Sequence, residues 1–337
     1  MVHAAASPGP VFAAFDVGPW IWAAFGALVA GLLLIDLLLV HRTPHAITVR
    51  EAGVESGVWI ALGLGFTFVI ASWQGGQAAG EYVAGYLIEK SLSVDNLFVW
   101  AVLFSYFGVP REYQFRVLFW GVFGALVLRG VFIGAGVALI GRFDWVLYVF
   151  GAFLLVTAVK IARHAEVEVH PERNPILKLV RRVIPVSADY DGHRLFTRQG
   201  RRWLATPLLA VLVLVEATDV VFAVDSVPAI LAVSREPFIV FSSNAFAILG
   251  LRSLYFLLAG MASRFRYLNV GLGVVLGFVG LKMLLADLYH VPVSVSLGVI
   301  GAALAGAVVA SVRADRRGGV PVDPDHEPSA ELEPTAP

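Results

Sequence analysis

Two stretches carry ionisable side chains where hydrocarbon would be expected. Glu89-Lys90-Ser91-Leu92-Ser93-Val94-Asp95-Asn96 lies inside an apolar run from about Tyr82 to Phe107. Glu216-Ala217-Thr218-Asp219, continuing to Asp225-Ser226-Val227-Pro228, lies inside another. A charge in the bilayer core costs roughly 2.5 kcal/mol or more, so residues of this kind read first as a substrate or ion pathway. On a helix Glu89, Ser93 and Asn96 share one stripe, with Asp95 about 100° round from Asn96. Glu216 and Asp219 stand at i, i+3, and Ser226 continues their stripe. Asp225 joins them only if the helix loosens, and Pro228, which lacks an N–H and crowds the carbonyl of Val224, supplies a reason for that. Together the motifs offer Glu89, Asp95, Asn96, Glu216, Asp219 and Asp225 around one cavity. Hard oxygen donors without sulfur suit Mn²⁺, Mg²⁺ or Ca²⁺ over Zn²⁺ or Cu⁺. No resident cofactor is implied; the cation is cargo.

The competing structural reading is that these acids only neutralise Lys90, Arg129 and Arg252 inside a bundle. Five carboxylates against three or four cations argue for more than that, because apolar residues would serve a purely structural role more cheaply. Both roles coexist if Arg129 and Arg252 hold the acids while the site is empty and withdraw when a cation arrives. Carboxylates in a low-dielectric cavity also gain proton affinity, which suits exchange of cation for protons. Asp36 stands apart near the end of an earlier apolar run and reads as a pairing or capping residue. The eight histidines fall in loops or at span ends. No phosphate-binding loop, dinucleotide turn or H-E-x-x-H motif stands where it could act.

The chain has 337 residues, 58% hydrophobic and 15% charged, with a mean hydropathy of +0.78. This is the composition of an all-α polytopic membrane protein. Net charge is zero and cysteine is absent, so neither nucleic-acid attraction nor thiol chemistry is indicated. A helix needs roughly 20 apolar residues to span a bilayer, and nine segments are expected: 20–40, 57–73, 81–107, 116–140, 145–161, 204–225, 237–258, 268–286 and 292–312. With residues 1–19 outside, 18 of the 25 Lys and Arg fall in cytoplasmic segments and two outside, the asymmetry of a plasma- or inner-membrane protein with a cytoplasmic C-terminus. Residues 162–203 form a basic cytoplasmic loop. Within it, 176–184 reads equally as a short interfacial helix on anionic lipid or as a solvated linker. The tail 313–337, rich in Pro, Glu and Asp, reads as disordered.

Superimposing Asp95 on Asp219 brings Arg129 near Arg252 and Lys160 near Lys282, in the same order, with one residue of slippage per step. A duplication explains this better than chance. The units are spans three to five (81–161) and six to eight (204–286), within a transmembrane domain covering 20–312. Span three runs inward and span six outward, so the copies form an inverted 3+3 repeat, an architecture that places substrate near the midplane between the copies.

The paired motifs, extended by Ser243-Asn244-Ala245-Phe246-Ala247-Ile248-Leu249-Gly250-Leu251-Arg252-Ser253-Leu254-Tyr255, resemble the signature of the TerC family of integral membrane proteins across roughly 20–312. That resemblance implies efflux of Mn²⁺ from the cytosol, linked in some members to metal supply for exported enzymes or to alkaline conditions. It also carries a ligand role onto Glu89, Asp95, Asn96, Glu216, Asp219 and Asp225. Tellurite, from which the family takes its name, is an oxyanion and a poor match to an acidic cavity. The expected function is therefore a secondary transporter, not an enzyme. Its expected partners are the cation, the bilayer, and exported metalloenzymes or secretion machinery. The alternative is a membrane scaffold docking partners through 162–203 and the tail. An intramembrane hydrolase using Asp219 and Asp225 is disfavoured, because six residues set those carboxylates about 240° apart on a helix.

Overall fold

The computed structural model describes residues 12–37, 47–143, 145–163, 187, 190–192, 194–199, 202–259, 267–286, 288–289 and 291–317. The described chain is mainly helical, with one small hairpin. The helices are α1 (Pro19–Ile35), α2 (Val49–Tyr106), α3 (Arg111–Arg142), α4 (Trp145–Arg163), α5 (Pro207–Leu231), α6 (Pro237–Leu249), α7 (Leu251–Ala259), α8 (Leu268–Leu284) and α9 (Val293–Arg317). Strands β1 (Phe196–Gln199) and β2 (Arg202–Ala205) pair antiparallel just before α5. Four of these helices are long and apolar enough to cross a membrane, five if α6 and α7 count as one bent span.

The helix ends are written in the sequence. Pro19, Pro207 and Pro237 occupy first-turn positions, where the missing N–H costs nothing. Thr48 and Glu51 form a reciprocal capping box at the start of α2. That helix ends in a Schellman motif: the Val109 N–H donates to the Phe104 carbonyl and the Gly108 N–H to that of Ser105, with Gly108 at φ +60°. Pro110 follows directly and caps α3.

The second and third expected spans prove to be one 58-residue helix broken at Gly75 alone, where φ is 85° and ψ 178°. Only glycine adopts that backbone without strain. Contacts show that the helix folds back there as two antiparallel arms. The Tyr82 hydroxyl donates to the Gly63 carbonyl at 2.8 Å, a Cβ on Gly63 would lie 2.6 Å from the Tyr86 ring, and Phe66 meets Tyr82. The expected loop around 74–80 is thus a single glycine, and Gln77–Gly80 already belongs to the second arm.

Other contacts fix helix directions. α3 and α5 run parallel, with Gly121 against Val215 and Gly136 against Val227 and Leu231. The second arm of α2 runs parallel to α6, with Gly85 on Ser243 and Lys90 near Gly250. α4 and α8 are antiparallel, with Gly151 on Gly280 and Ala158 on Gly277; at Gly151–Gly280 a Cβ on either glycine would meet the other's carbonyl oxygen at 3.0 and 2.8 Å. Small residues let backbones approach that closely, the packing mode of helices in lipid. α3 shows the two-sidedness this environment demands: Ala125, Arg129 and Ile133 are buried while Phe123, Val127 and Val131 are exposed one face away.

Further boundaries differ from expectation; α3 begins at Arg111 rather than 116 and α5 ends at Leu231 rather than 225. α5 starts at Pro207, because 202–205 is committed to the hairpin. The span 237–258 is broken at Gly250 with a 40° bend. α9 runs on to Arg317 rather than ending near 312, its last turn being rich in Ala and Arg, which favour helix and suit the negative end of its dipole. The 176–184 segment and residues 38–40 and 318–337 lie outside the described residues.

Candidate functional site

The site gathers around one arginine. Arg129, on the buried stripe of α3, is 1% exposed. Its Nε and Nη2 donate to Asp219 on α5 at 3.3 and 3.1 Å. Nη1 donates to Ser226 at 3.3 Å and forms an ion pair with Glu89 on α2. One guanidinium thus joins carboxylates from two different helices. A planar fork of five donors suits this bridging, whereas an ammonium offers only a point charge.

Each carboxylate is held further. Ser93, one turn along α2, donates to Glu89 Oε1 at 2.9 Å, as the shared stripe predicts. Asn244 on α6 donates to Glu89 Oε2 at 3.0 Å. Asn96 donates to Asp219 Oδ1 at 3.4 Å. Glu216 lies a turn before Asp219 and rests on Gly124 of α3, so closely that a Cβ there would overlap its carboxylate. Among the described residues, two enclosed oxygens, Asn96 Oδ1 and Glu216 Oε2, accept no hydrogen bond. Buried acceptors without donors are costly in hydrocarbon and are what a bare cation would satisfy.

Of the expected ligands, Glu89, Asn96 and Asp219 therefore meet, with Glu216 beside them. Asp225 turns instead to α4, where Thr157 donates to it at 3.2 Å. α5 runs through Pro228 as one helix to Leu231, so Asp225 keeps its separate direction. The backbone of Asp95 is helical, but its side chain lies outside the described residues. Among the described residues no group of three or more carboxylate or imidazole side chains surrounds one point; Arg129 fills the space between Glu89 and Asp219.

The other two expected pairing cations go elsewhere. Lys90 donates to the carbonyl of Ala247 at 3.1 Å, an oxygen near the C-terminus of α6 beside the Gly250 break. Arg252 pairs with Asp36 of α1 and, at 3.7 Å, with Glu55 of the first arm of α2, and stacks over Phe115 with 4.2 Å to the ring centroid. Asp36 is thus a pairing residue, as its position indicates, and Arg252 does not mirror Arg129. Its nearest acids come from helices outside the repeat. Asn244 is the residue at this centre that spacing alone did not single out. Its signal was the run Ser242-Ser243-Asn244 within an otherwise apolar span.

The fold and site define a polytopic helical membrane protein with a buried, charge-bridged polar centre. The chain matches the Integral membrane protein TerC family over residues 74–318, more than half its length, and belongs to that family. It is 50% identical over 295 residues to the uncharacterized membrane protein STKORF319 of Myxococcus xanthus, covering 87% of this chain and 92% of that one. It is 50% identical over 291 residues to a protein of Escherichia coli (strain K12) named as a membrane-bound redox modulator, Alx, with 84% and 91% covered. A third relative, the uncharacterized membrane protein Mb2742 of Mycobacterium bovis, is 42% identical over 273 residues, 80% of this chain and 69% of that protein. No solved structure matches.

Proposed function

We propose that the chain is a secondary transporter that exports divalent cations, Mn²⁺ foremost, through the centre formed by Glu89, Asn96, Asp219 and Glu216. The observation that carries this reading is Arg129 bridging Glu89 and Asp219 beside two enclosed, unsatisfied oxygens. A resident cation holding ligands from two helices is the resting form of a site that accepts a mobile one. When a divalent ion arrives, its double charge and short oxygen distances outcompete a delocalised guanidinium. Arg129 then shifts toward Ser226, with which it already shares a hydrogen bond. Asp95, on the same helix between Ser93 and Asn96, is the remaining ligand in this reading, and Asp225 serves as a second station facing Thr157.

In the same reading the chain crosses the membrane nine times, counting both arms of α2 and taking α6–α7 as one bent span, with spans three to five and six to eight as inverted copies. Support comes from the helix directions: α3 parallel to α5, the second arm of α2 parallel to α6, and α4 antiparallel to α8, as alternating crossings require. The end carrying Gly75 then faces outside and the β1–β2 hairpin the cytoplasm. A relative is named for redox modulation, but with no cysteine in this chain thiol exchange is not the route to such an effect. Handing metal to exported enzymes is a partner role compatible with the same direction of transport.

The test is metal flux in everted vesicles for Mn²⁺, Mg²⁺ and Ca²⁺, with and without a pH gradient. Asp219→Asn and Glu89→Gln are each expected to stop Mn²⁺ uptake at unchanged protein level. Wild-type flux in both variants would remove the site. A docking role is favoured by one observation, the hairpin face that leaves Phe196, Arg198 and Trp203 exposed together. Replacing all three by Ser separates the readings: a transporter keeps its flux, and a scaffold loses its phenotype.

A further inference from the structure

A second carboxylate lies fully buried on the second arm of α2. Glu81 is two turns and a residue before Glu89, about 12 Å along the helix toward the Gly75 end. It shows no exposed surface. Its Oε1 accepts the backbone N–H of Ala13 at 2.7 Å and the Gln77 amide at 3.5 Å. Among the described residues its Oε2 is enclosed and accepts no hydrogen bond within normal distance; the Ser234 hydroxyl stands beside the carboxylate. Ser234 accepts instead from the Glu236 N–H at 3.3 Å. Among the described residues, the cation acting on Glu81 is the Lys282 ammonium, which is itself held by Ser296 at 3.1 Å.

Between Glu81 and Glu89 the arm presents Gly85, packed so that a Cβ there would lie 2.8 Å from the Ser243 hydroxyl oxygen. Gly85 lies on the same stripe as the two carboxylates, bordered by the Ser243 hydroxyl and by Ile230. The same end is covered by the extended segment 12–18. Besides the Ala13 bond, Phe15 N–H reaches Glu236 at 3.5 Å, the Phe15 ring packs on Trp73, and Arg235 lies over Phe12.

We infer that Glu81 is a further divalent-cation site, between the Glu89–Asp219 centre and solution at the Gly75 end, closed by the 12–18 segment. This rests on the transport reading and names the route by which the ion leaves. The unsatisfied Oε2 and the Ser234 hydroxyl are hard oxygens, and water completes the shell of an ion that has only one carboxylate. Such a site binds weakly, as a release station must. Oε1 carries two hydrogen bonds, so for both carboxylate oxygens to engage the ion one of its donors, Ala13 or Gln77, gives way; release of Ala13 lifts the covering segment. Lys282 keeps its place at Ser296, as Arg129 has Ser226 at the centre.

The chain contains no cysteine, so Ala14→Cys, at an exposed position of the covering segment, gives a unique thiol for a nitroxide. Mn²⁺ is titrated into the full chain in nanodiscs of neutral lipid, in three backgrounds: otherwise unchanged, Asp219→Asn and Glu81→Gln. The expected result is strong paramagnetic broadening of the nitroxide in the first two. In Glu81→Gln it falls at least tenfold, although Mn²⁺ binding at the centre persists. Equal broadening with and without Glu81 overturns the site. So does its absence in Asp219→Asn, which keeps Glu81 native and decides the matter even if Glu81→Gln fails to fold. Flux in Asp219→Asn vesicles reports separately on the central site.

Discussion

Arg129 is buried between acids it cannot leave without cost, and that makes it the sharpest single-residue test of the site. Removing one partner of a buried pair costs about 3–5 kcal/mol, because the charges left behind have no counter-ion. Arg129→Gln should therefore lower the melting temperature of the purified protein in chelator. If Glu89 and Asp219 are cation ligands, Mn²⁺ should restore more of that loss than it adds to the wild type, because the ion supplies the missing charge. Equal Mn²⁺ shifts in both proteins would mean that the acids serve structure alone. Gly124→Ala makes the complementary test without changing any charge. Its methyl group would displace the Glu216 carboxylate, so Mn²⁺ flux should fall at least tenfold while Gly134→Ala, where nothing lies within 4 Å, leaves it intact. Outside the spans, burial raises the pKa of Glu236 above the usual 4.5; amide hydrogen bonds from Phe15 and Phe238 oppose this, and Asp16 adds to it. A raised acid means that the folded protein binds the proton more tightly than the unfolded chain. The charged form then costs stability in full above the folded pKa, and the cost vanishes below the ordinary one. Glu236→Gln should melt higher than wild type at about pH 7 and at the same temperature near about pH 4.

At the level of elements, what could be read beforehand was the material, and what could not was the pairing. Charged runs inside apolar segments marked α2 and α5, and the i, i+4 relation of Glu89 and Ser93 survives as a hydrogen bond. Arg129 and Arg252 occupy matching places in the two copies, yet only Arg129 meets the acidic motifs. Arg252 is claimed by Asp36 and Glu55 from α1 and the first arm of α2, helices that the repeat does not contain. Repetition specifies position within a copy and is silent about elements added outside it. Glu81 is the first residue of the expected span 81–107, a position where a carboxylate ordinarily reaches the interface; packing alone shows it to be enclosed. Gly250 lies within the single expected span 237–258. In the fold it separates α6 from α7, and a Cβ there would lie 2.8 Å from Trp59 Cβ and 2.9 Å from the Lys90 ammonium nitrogen. Overpacking of this kind costs typically 1–3 kcal/mol. Gly250→Ala should therefore lower the melting temperature and loosen the Lys90–Ala247 bond, whereas Gly301→Ala, in open space on α9, should not.

Across the whole molecule, the described contacts set helices parallel or antiparallel to one another but do not say which end faces the cytoplasm; that direction comes from the distribution of Arg and Lys. The hairpin before α5, the 107–110 turn and the N-terminus of α8 share one end. Gly75, the Val233–Glu236 loop and Leu288–Tyr289 share the other, since Gly80 packs on Val293 and Leu297 at the start of α9 while Gly271 packs on Ala307. Nine crossings with the Gly75 end outside require every connection in the first group to be cytoplasmic. A chain without cysteine is a clean background for this question. Single cysteines at Gly76 and Tyr289 should react with a membrane-impermeant maleimide in intact cells, and cysteines at Gly108 and Gly192 should react only after the membrane is opened. The glycine positions chosen have no neighbour that a side chain would strike; Gly108 and Gly192, at positive φ, carry backbone strain that lowers yield without changing the side on which the thiol stands. The reverse labelling pattern would invert the protein and turn export into uptake. A mixed pattern, with Gly76 and Tyr289 on opposite sides, would break the alternation on which the nine-crossing arrangement, and with it the inverted relation of the two acidic motifs, depends.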